Sequence, residues 1–159
     1  MGLPRVRDVM REVVVTARED SPLLDVVKAM VENGVGSMII TDDENRVIGV
    51  FTERDLMRLV GNSEDLSRLV VGEVMTRNVV VIEDDASLVK AVHLMAKHNI
   101  RHLPVINSEG KLVGVISIRD AAIALARALV NMSLGGLELT EEETAMLRDI
   151  ADVDEGRGL

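Results

Sequence analysis

Cysteine is absent from the 159-residue sequence, which excludes disulfide staples, thiolate nucleophiles and sulfur-ligated zinc together. Aromatic residues are almost as scarce. Phe51 stands alone, so a planar ligand would have to lie between aliphatic walls, without a stacking platform. No uninterrupted apolar run approaches the roughly 18 to 20 residues that cross a bilayer. No charged-then-apolar leader with a cleavage site opens the chain, so a cytoplasmic location is expected, away from membranes. Missing as well are a Walker-type glycine-lysine loop and any visible nucleophile with an adjacent base, so binding without turnover is expected and an enzyme is not.

Net charge is −9, which argues against a nucleic-acid partner, but its distribution matters more than its total. From Gly136 onward there are eight acidic and two basic residues, so six of the nine excess negative charges belong to the tail. The body, with 19 acidic and 16 basic residues, is nearly balanced. A small phosphate-bearing molecule is compatible with such a field, whereas a long polyanion finds no basic stripe.

What the sequence does contain is itself, twice. A shift of 65 residues aligns Val6 to Asp55 with Val71 to Asp120 without a gap, and fourteen of the fifty pairs are identical. Among them are Val9/Val74, Met10/Met75, Leu23/Leu88, Met30/Met95, Gly49/Gly114, Arg54/Arg119 and Asp55/Asp120. Repeats of this size are expected to fold alike and to bury a shared face.

Each copy has the same order of periodicities. The β-branched runs Val13 to Thr16 and Val79 to Ile82 predict buried strands. A helix follows, capped by Ser21 before Pro22 in the first copy and by Asp85 in the second. "SMII" and "HLPVI" predict a strand, "DDEN" and "NSEG" a turn, and "RVIGVF" and "KLVGVI" the returning strand. A second helix completes β-α-β-β-α in each copy, giving an α/β (α+β) class with a mixed sheet and helices against it. Leu88 to Ala96 and Ala121 to Val130 are more apolar than a one-sided helix needs. Their surplus faces are expected to pack the repeats together and to offer a homodimer surface, although central core helices of a monomer would read the same way. Beyond Val130 the pattern weakens through "NMSLGGLEL" until the "TEEE" capping box at Thr140 opens a short acidic helix over 141–150; "DVDEGRGL" is expected to be loose.

The twin tetrads Thr52-x-x-Asp55 and Ser117-x-x-Asp120 admit two readings. One is helix capping: a hydroxyl accepts from a free backbone N–H, and an acid sits by the positive helix end. The other begins from the same geometry, since a strand running into a helix N-terminus offers N–H groups to a phosphate, while an aspartate one turn in accepts from both ribose hydroxyls. Both readings can hold together.

The chain resembles a tandem pair of cystathionine β-synthase (CBS) domains over about Val6 to Val130. The resemblance is carried by "VRDVM" and "VGEVM", by "LLDVVKAMVENGVGSMIITDDENRVIGVFTERD" and by "LVKAVHLMAKHNIRHLPVINSEGKLVGVISIRD". It implies CBS repeats at 6–62 and 70–131, packed pseudo-symmetrically into one module, with a tail at 132–159. It also implies a regulatory module that binds AMP, ADP, ATP or an S-adenosylmethionine-type ligand in the clefts between repeats, usually as a dimer, with an unidentified effector protein as a further partner. Carried over residue by residue, Asp55 and Asp120 would hold ribose hydroxyls, and Thr52 and Ser117 ribose or phosphate. Arg101 and His102, before the proline strand, would hold phosphate, and the adenine would touch backbone at Val15 and Val80. In the first copy the matching pair is Gly36 and Ser37, and Ile39 replaces the proline, so the two clefts are expected to differ in ligand or occupancy. Positive residues just beyond a helix C-terminus, as at His98 and Arg101, are also favourable without a ligand. His93, His98 and His102 lack ligand spacing on one face, so no metal is expected. The alternative is a structural or oligomerisation protein whose tetrads only cap helices.

Overall fold

Short β-branched runs, helices stopped by left-handed residues, and polar turns lay out each half of the chain in the computed structural model, which describes residues 2–132 and 139–152. The elements of the first half are β1 (Thr16–Ala17), α1 (Leu23–Asn33), β2 (Ser37–Thr41), β3 (Val47–Thr52) and α2 (Glu53–Gly61). A four-residue helix, α3 (Val71–Val74), comes next. The second half contains β4 (Ile82–Glu83), α4 (Leu88–His98), β5 (His102–Ile106), β6 (Leu112–Ser117) and α5 (Ile118–Met132), and α6 (Glu141–Asp152) closes the described chain. Two three-stranded sheets result, ordered β1-β2-β3 and β4-β5-β6. β1 runs parallel to β2 and β2 antiparallel to β3; β4 runs parallel to β5. Mixed α+β architecture, written twice, is therefore what the chain adopts.

The turn chemistry follows the sequence. Asp42 Oδ1 accepts from the N–H groups of Glu44 and Arg46, and Asn45 sits at φ 60°. In the second half Asn107 Oδ1 accepts from Glu109 N–H, and Gly110 takes φ 75°. Helix α1 stops at Gly34 and α4 at Asn99, each left-handed, the conformation that ends a helix at least cost in a residue without a branched Cβ.

Several local expectations are corrected. The runs Val13 to Thr16 and Val79 to Ile82 are not strands over their length: only Thr16–Ala17 and Ile82–Glu83 pair. The physical reason is position, because Val13 and Val79 are where the chain leaves one compact unit for the other, and Val13 is 91% exposed. Ser21 does not cap α1. Its hydroxyl accepts from Arg18 N–H and Pro22 holds the N-cap place, while Ser87 rather than Asp85 caps α4 by accepting from Lys90 N–H at 3.2 Å. The capping box at Thr140 forms as expected, with Thr140 N–H donating to Glu143 and Glu143 N–H to Thr140 Oγ1. Most of "NMSLGGLEL" and "DVDEGRGL" lies outside the described residues.

The compact units do not coincide with the sequence repeats. One comprises Val13–Val79 with Gly110–Leu112, and the other Met1–Glu12 with Val80–Glu109 and Val113–Leu159. Each repeat has thus given its head to the other half. In the first unit Val71 and Met75 join Leu23, Val26, Met30, Met38, Ile40 and Phe51 in one buried cluster. In the second, Val6 joins Ile82, Leu88, Ala91, Met95, Leu103, Val105, Ile116 and Ala121. The backbone fixes both exchanges with the same device: Val50 and Thr76 bridge antiparallel in the first unit, and Arg11 and Val115, at matching positions, in the second.

The twin glycines of the tetrad strands exist for these heads. A Cβ on Gly49 would collide with Met75 Sδ, and one on Gly114 would lie 2.7 Å from Met10 Sδ and 2.9 Å from the Arg11 carbonyl oxygen. At Gly114 the contact reaches the backbone of the exchanged segment, whereas at Gly49 it falls on the Met75 side chain. In the second unit α5 and α6 both pack on α4, so part of the surplus apolar face of α4 is covered by the chain's own acidic helix. Met146, Leu147 and Ile150 of α6 are half-buried at helical spacing, and Asp149 meets His93 Nε2 at 3.1 Å.

Candidate functional site

The tetrads stand where the sequence places them, at the junction of the last strand and the following helix in each unit. In the first unit Thr52 ends β3 and caps α2, and Ser37 is its partner in the β2–β3 ladder. The ladder therefore brings Ser37 beside Thr52 across a junction that also carries Asp55. Val15, half-buried against the same cluster, lies just before β1 and outside the paired strand.

Asp55 is only 6% exposed and is occupied by its own main chain. Its Oδ2 accepts from Thr52 N–H and Thr52 Oγ1–H, both at 2.9 Å, while Asp55 N–H donates to Thr52 Oγ1 at 3.3 Å. Arg58, one turn on, approaches Oδ1 at 3.6 Å. This is a closed capping box with a flanking ion pair.

The second unit assembles the same pieces differently. Asp120 N–H donates to Ser117 Oγ at 3.1 Å, so the hydroxyl still caps α5. The Asp120 carboxylate, with 23% of its side chain exposed, accepts from Arg11 Nε at 3.2 Å. Arg11 reaches it because the bridge to Val115 holds the exchanged head on β6, with hydrogen bonds of 2.9 and 3.0 Å. Ile118 N–H donates to the Arg101 carbonyl at 2.8 Å, just as Glu53 N–H donates to Gly36 in the first unit at 3.0 Å. Arg101 and His102 thus flank the Ser117 junction as Gly36 and Ser37 flank the Thr52 junction. Both are exposed, and Val80, half-buried, lies before β4.

Residue by residue, the structure groups Val15, Ser37, Thr52 and Asp55 in one unit and Val80, Arg101, His102, Ser117 and Asp120 in the other. Two residues at these junctions escaped the sequence reading. Arg11 did so because its partner is 109 positions away and reachable only through the head exchange. Glu53 did so because a residue inside a cap motif reads as solvent-facing, yet its carboxylate folds back so that a Cβ on Gly36 would meet Oε1 at 3.1 Å. The matched columns, Arg11 with Thr76 and Glu53 with Ile118, were the available signal, since charge changes where the pattern otherwise repeats. Among the described residues no cluster of three or more His, Asp or Glu side chains could hold a metal ion, and no helix is long and apolar enough to cross a membrane.

The CBS domain family model matches twice, over residues 6–62 and 71–127. An uncharacterized 17.7 kDa protein of Acidianus ambivalens is 34% identical over 80% of this chain and 74% of its own length. Against uncharacterized relatives in Methanopyrus kandleri and Methanocaldococcus jannaschii, the chain spans only 59% and 55% of their lengths. Among solved structures, CBSX2 in complex with AMP superposes with a TM-score of 0.68 at 28% identity, covering 78% of this chain and 97% of that one. The CBS domain pair of protein MJ0100, in complex with 5′-methylthioadenosine and S-adenosyl-L-methionine, gives 0.71 over 79% and 98%; at 21% identity it speaks to the fold alone. With a repeated head, a glycine that admits it and a hydroxyl-aspartate tetrad in each half, and with the family model covering both halves, this chain belongs to the CBS domain family.

Proposed function

We propose that the chain is a non-enzymatic sensory module that binds adenosine-containing ligands at the tetrad junctions and passes the binding event to a partner. The observation that carries this reading is the second junction. There the Asp120 carboxylate is partly open, is already engaged by a cation from another segment, and stands beside a capping hydroxyl and the Arg101-His102 pair. Such a set offers acceptors to ribose hydroxyls and cations to phosphate. CBSX2, a relative in fold and sequence, has been solved with AMP, which supports an adenosyl ligand here. AMP, ADP, ATP and S-adenosylmethionine are the candidates. A ligand acts on such a module only through its different affinities for two arrangements, so regulation requires that binding alter what the partner meets.

Self-association belongs to the same reading. Met57 and Val60 on α2, and Ile123, Leu129 and Val130 on α5, are exposed apolar residues on the helices that follow the tetrads. A homodimer that covers them is expected, and light scattering at micromolar concentration measures it. Cytoplasmic operation fits a chain with no cysteine.

The capping-only alternative has one observation in its favour, the closed box around Asp55. Calorimetric titration with ATP, AMP and S-adenosylmethionine separates the two readings. Saturable heat from at least one is expected. Heats of dilution for all three, on folded protein, would leave the structural alternative standing.

A further inference from the structure

The two junctions differ in charge at three matched places, where one has a charged residue and the other a neutral one. At the first helical position, Glu53 in the first unit is matched by Ile118 in the second, and Ile118 packs against the apolar cluster of its own unit. At the position whose carbonyl receives that residue's N–H, Gly36 is matched by Arg101. At the bridge residue of the exchanged head, Thr76 is matched by Arg11, which reaches Asp120 at 3.2 Å. Arg54 and Arg119 are common to both and do not discriminate. Arg58 belongs to the first unit alone, but it lies against Asp55.

The Glu53 carboxylate does not simply point away. It lies over the Gly36 backbone, on the junction that Ser37 and Thr52 share. An anion approaching the start of α2 beside Ser37 and Thr52 would meet that carboxylate, with Asp55 two residues further on. At separations of a few ångströms, like charges near a protein surface repel by an amount that outweighs what a helix end contributes to anion binding.

We propose that Glu53 is a specificity residue: it makes the first half a site for ribonucleosides whose 5′ end is neutral or cationic, while Arg11 and Arg101 reserve the phosphorylated ligand for the second half. This inference rests on the adenosyl-binding reading above and assigns a ligand class to each half. It places a nucleoside and a nucleotide on one chain at the same time, so the module responds to two related metabolite classes rather than to one.

The test is calorimetric titration of the full chain with AMP and, separately, with adenosine. The expected wild-type result is one AMP per chain, with further adenosine binding after AMP has saturated. Glu53→Gln should create a second AMP site or shift the preference for adenosine over AMP at the weaker site on the order of tenfold toward AMP. Glu53→Asp, which keeps the charge, should stay close to wild type. Because Glu53 is exposed, both variants are expected to fold, and circular dichroism verifies this. Two equivalent AMP sites in the wild type, or an unchanged preference in Glu53→Gln, would overturn the assignment while leaving adenosyl binding intact. No heat from either ligand would overturn both together.

Discussion

Asp55 and Asp120 occupy the same register of the same repeat, yet one carboxylate is closed and the other is partly open. Asp55 turns back to Thr52 and is buried; Asp120 faces an arginine delivered by the exchanged head and keeps part of its surface. The difference teaches that a tetrad motif fixes where an acid stands but not what it holds. Its partner comes from outside the motif. In the first half that partner is the backbone and Arg58, and in the second it is Arg11.

The strongest way to break this contrast is Asp120→Ala. Losing a charge-assisted acceptor costs roughly 1.5 to 3 kcal/mol. AMP affinity should therefore fall about 10- to 100-fold by calorimetry, with little change in melting temperature because Ser117 still caps α5. Unchanged affinity with a lowered melting temperature would make Asp120 a cap like its twin.

Gly114→Ala comes next. The added methyl meets Met10 and, at 2.9 Å, the backbone oxygen of Arg11, whereas Gly49→Ala meets only the flexible Met75 side chain. Overpacking of this kind costs about 1 to 3 kcal/mol, and the Gly114 variant should lie at the upper end in urea denaturation. It should also loosen Arg11 from Asp120. Equal losses at both glycines would remove this distinction.

Asp55→Ala should cost about 0.5 to 2 kcal/mol of stability as a lost cap, also read by denaturation. A variant of normal stability that no longer binds adenosine would show instead that the closed box opens for a ligand. The smallest effect expected concerns acid. Glu83 is held below the usual carboxylate range, first by its own backbone N–H and then by the Lys90 ammonium at 3.2 Å. The folded state favours its charged form, so this contribution is present at neutral pH and is lost as pH falls through the lowered value. Glu83→Gln should flatten the stability-versus-pH curve slightly in that acidic range.

Much of this was legible in the residues. The repeat, the β-α-β-β-α order, the polar turns, the Thr140 capping box and the position of both tetrads follow from spacing and side-chain chemistry. Less legible were the starts of the sheets. Val13 to Val15 and Val79 to Val81 have the composition of strands but serve as connections, and composition does not say which sheet edge a run can reach. The head exchange was invisible for a related reason. "VRDVM" and "VGEVM" are equally good partners for either half, and only the tertiary structure shows Val6 with Ile82, and Val71 with Phe51. Arg11 was lost with it. Within the site, the hydroxyls and acids could be named from the motif, whereas the closure of Asp55 depends on a side-chain rotamer that spacing does not encode.

The exchange also has a temporal side. Val6 N–H bonds to the Ala86 carbonyl and Arg7 N–H to that of Asp84, so this head is made well before its hydrogen-bonding partners leave the ribosome. Meanwhile the half made first can close its buried cluster as soon as Val71 and Met75 emerge. A label or fusion attached ahead of Val6 would therefore disturb the second half and spare the first, beside which it is encoded.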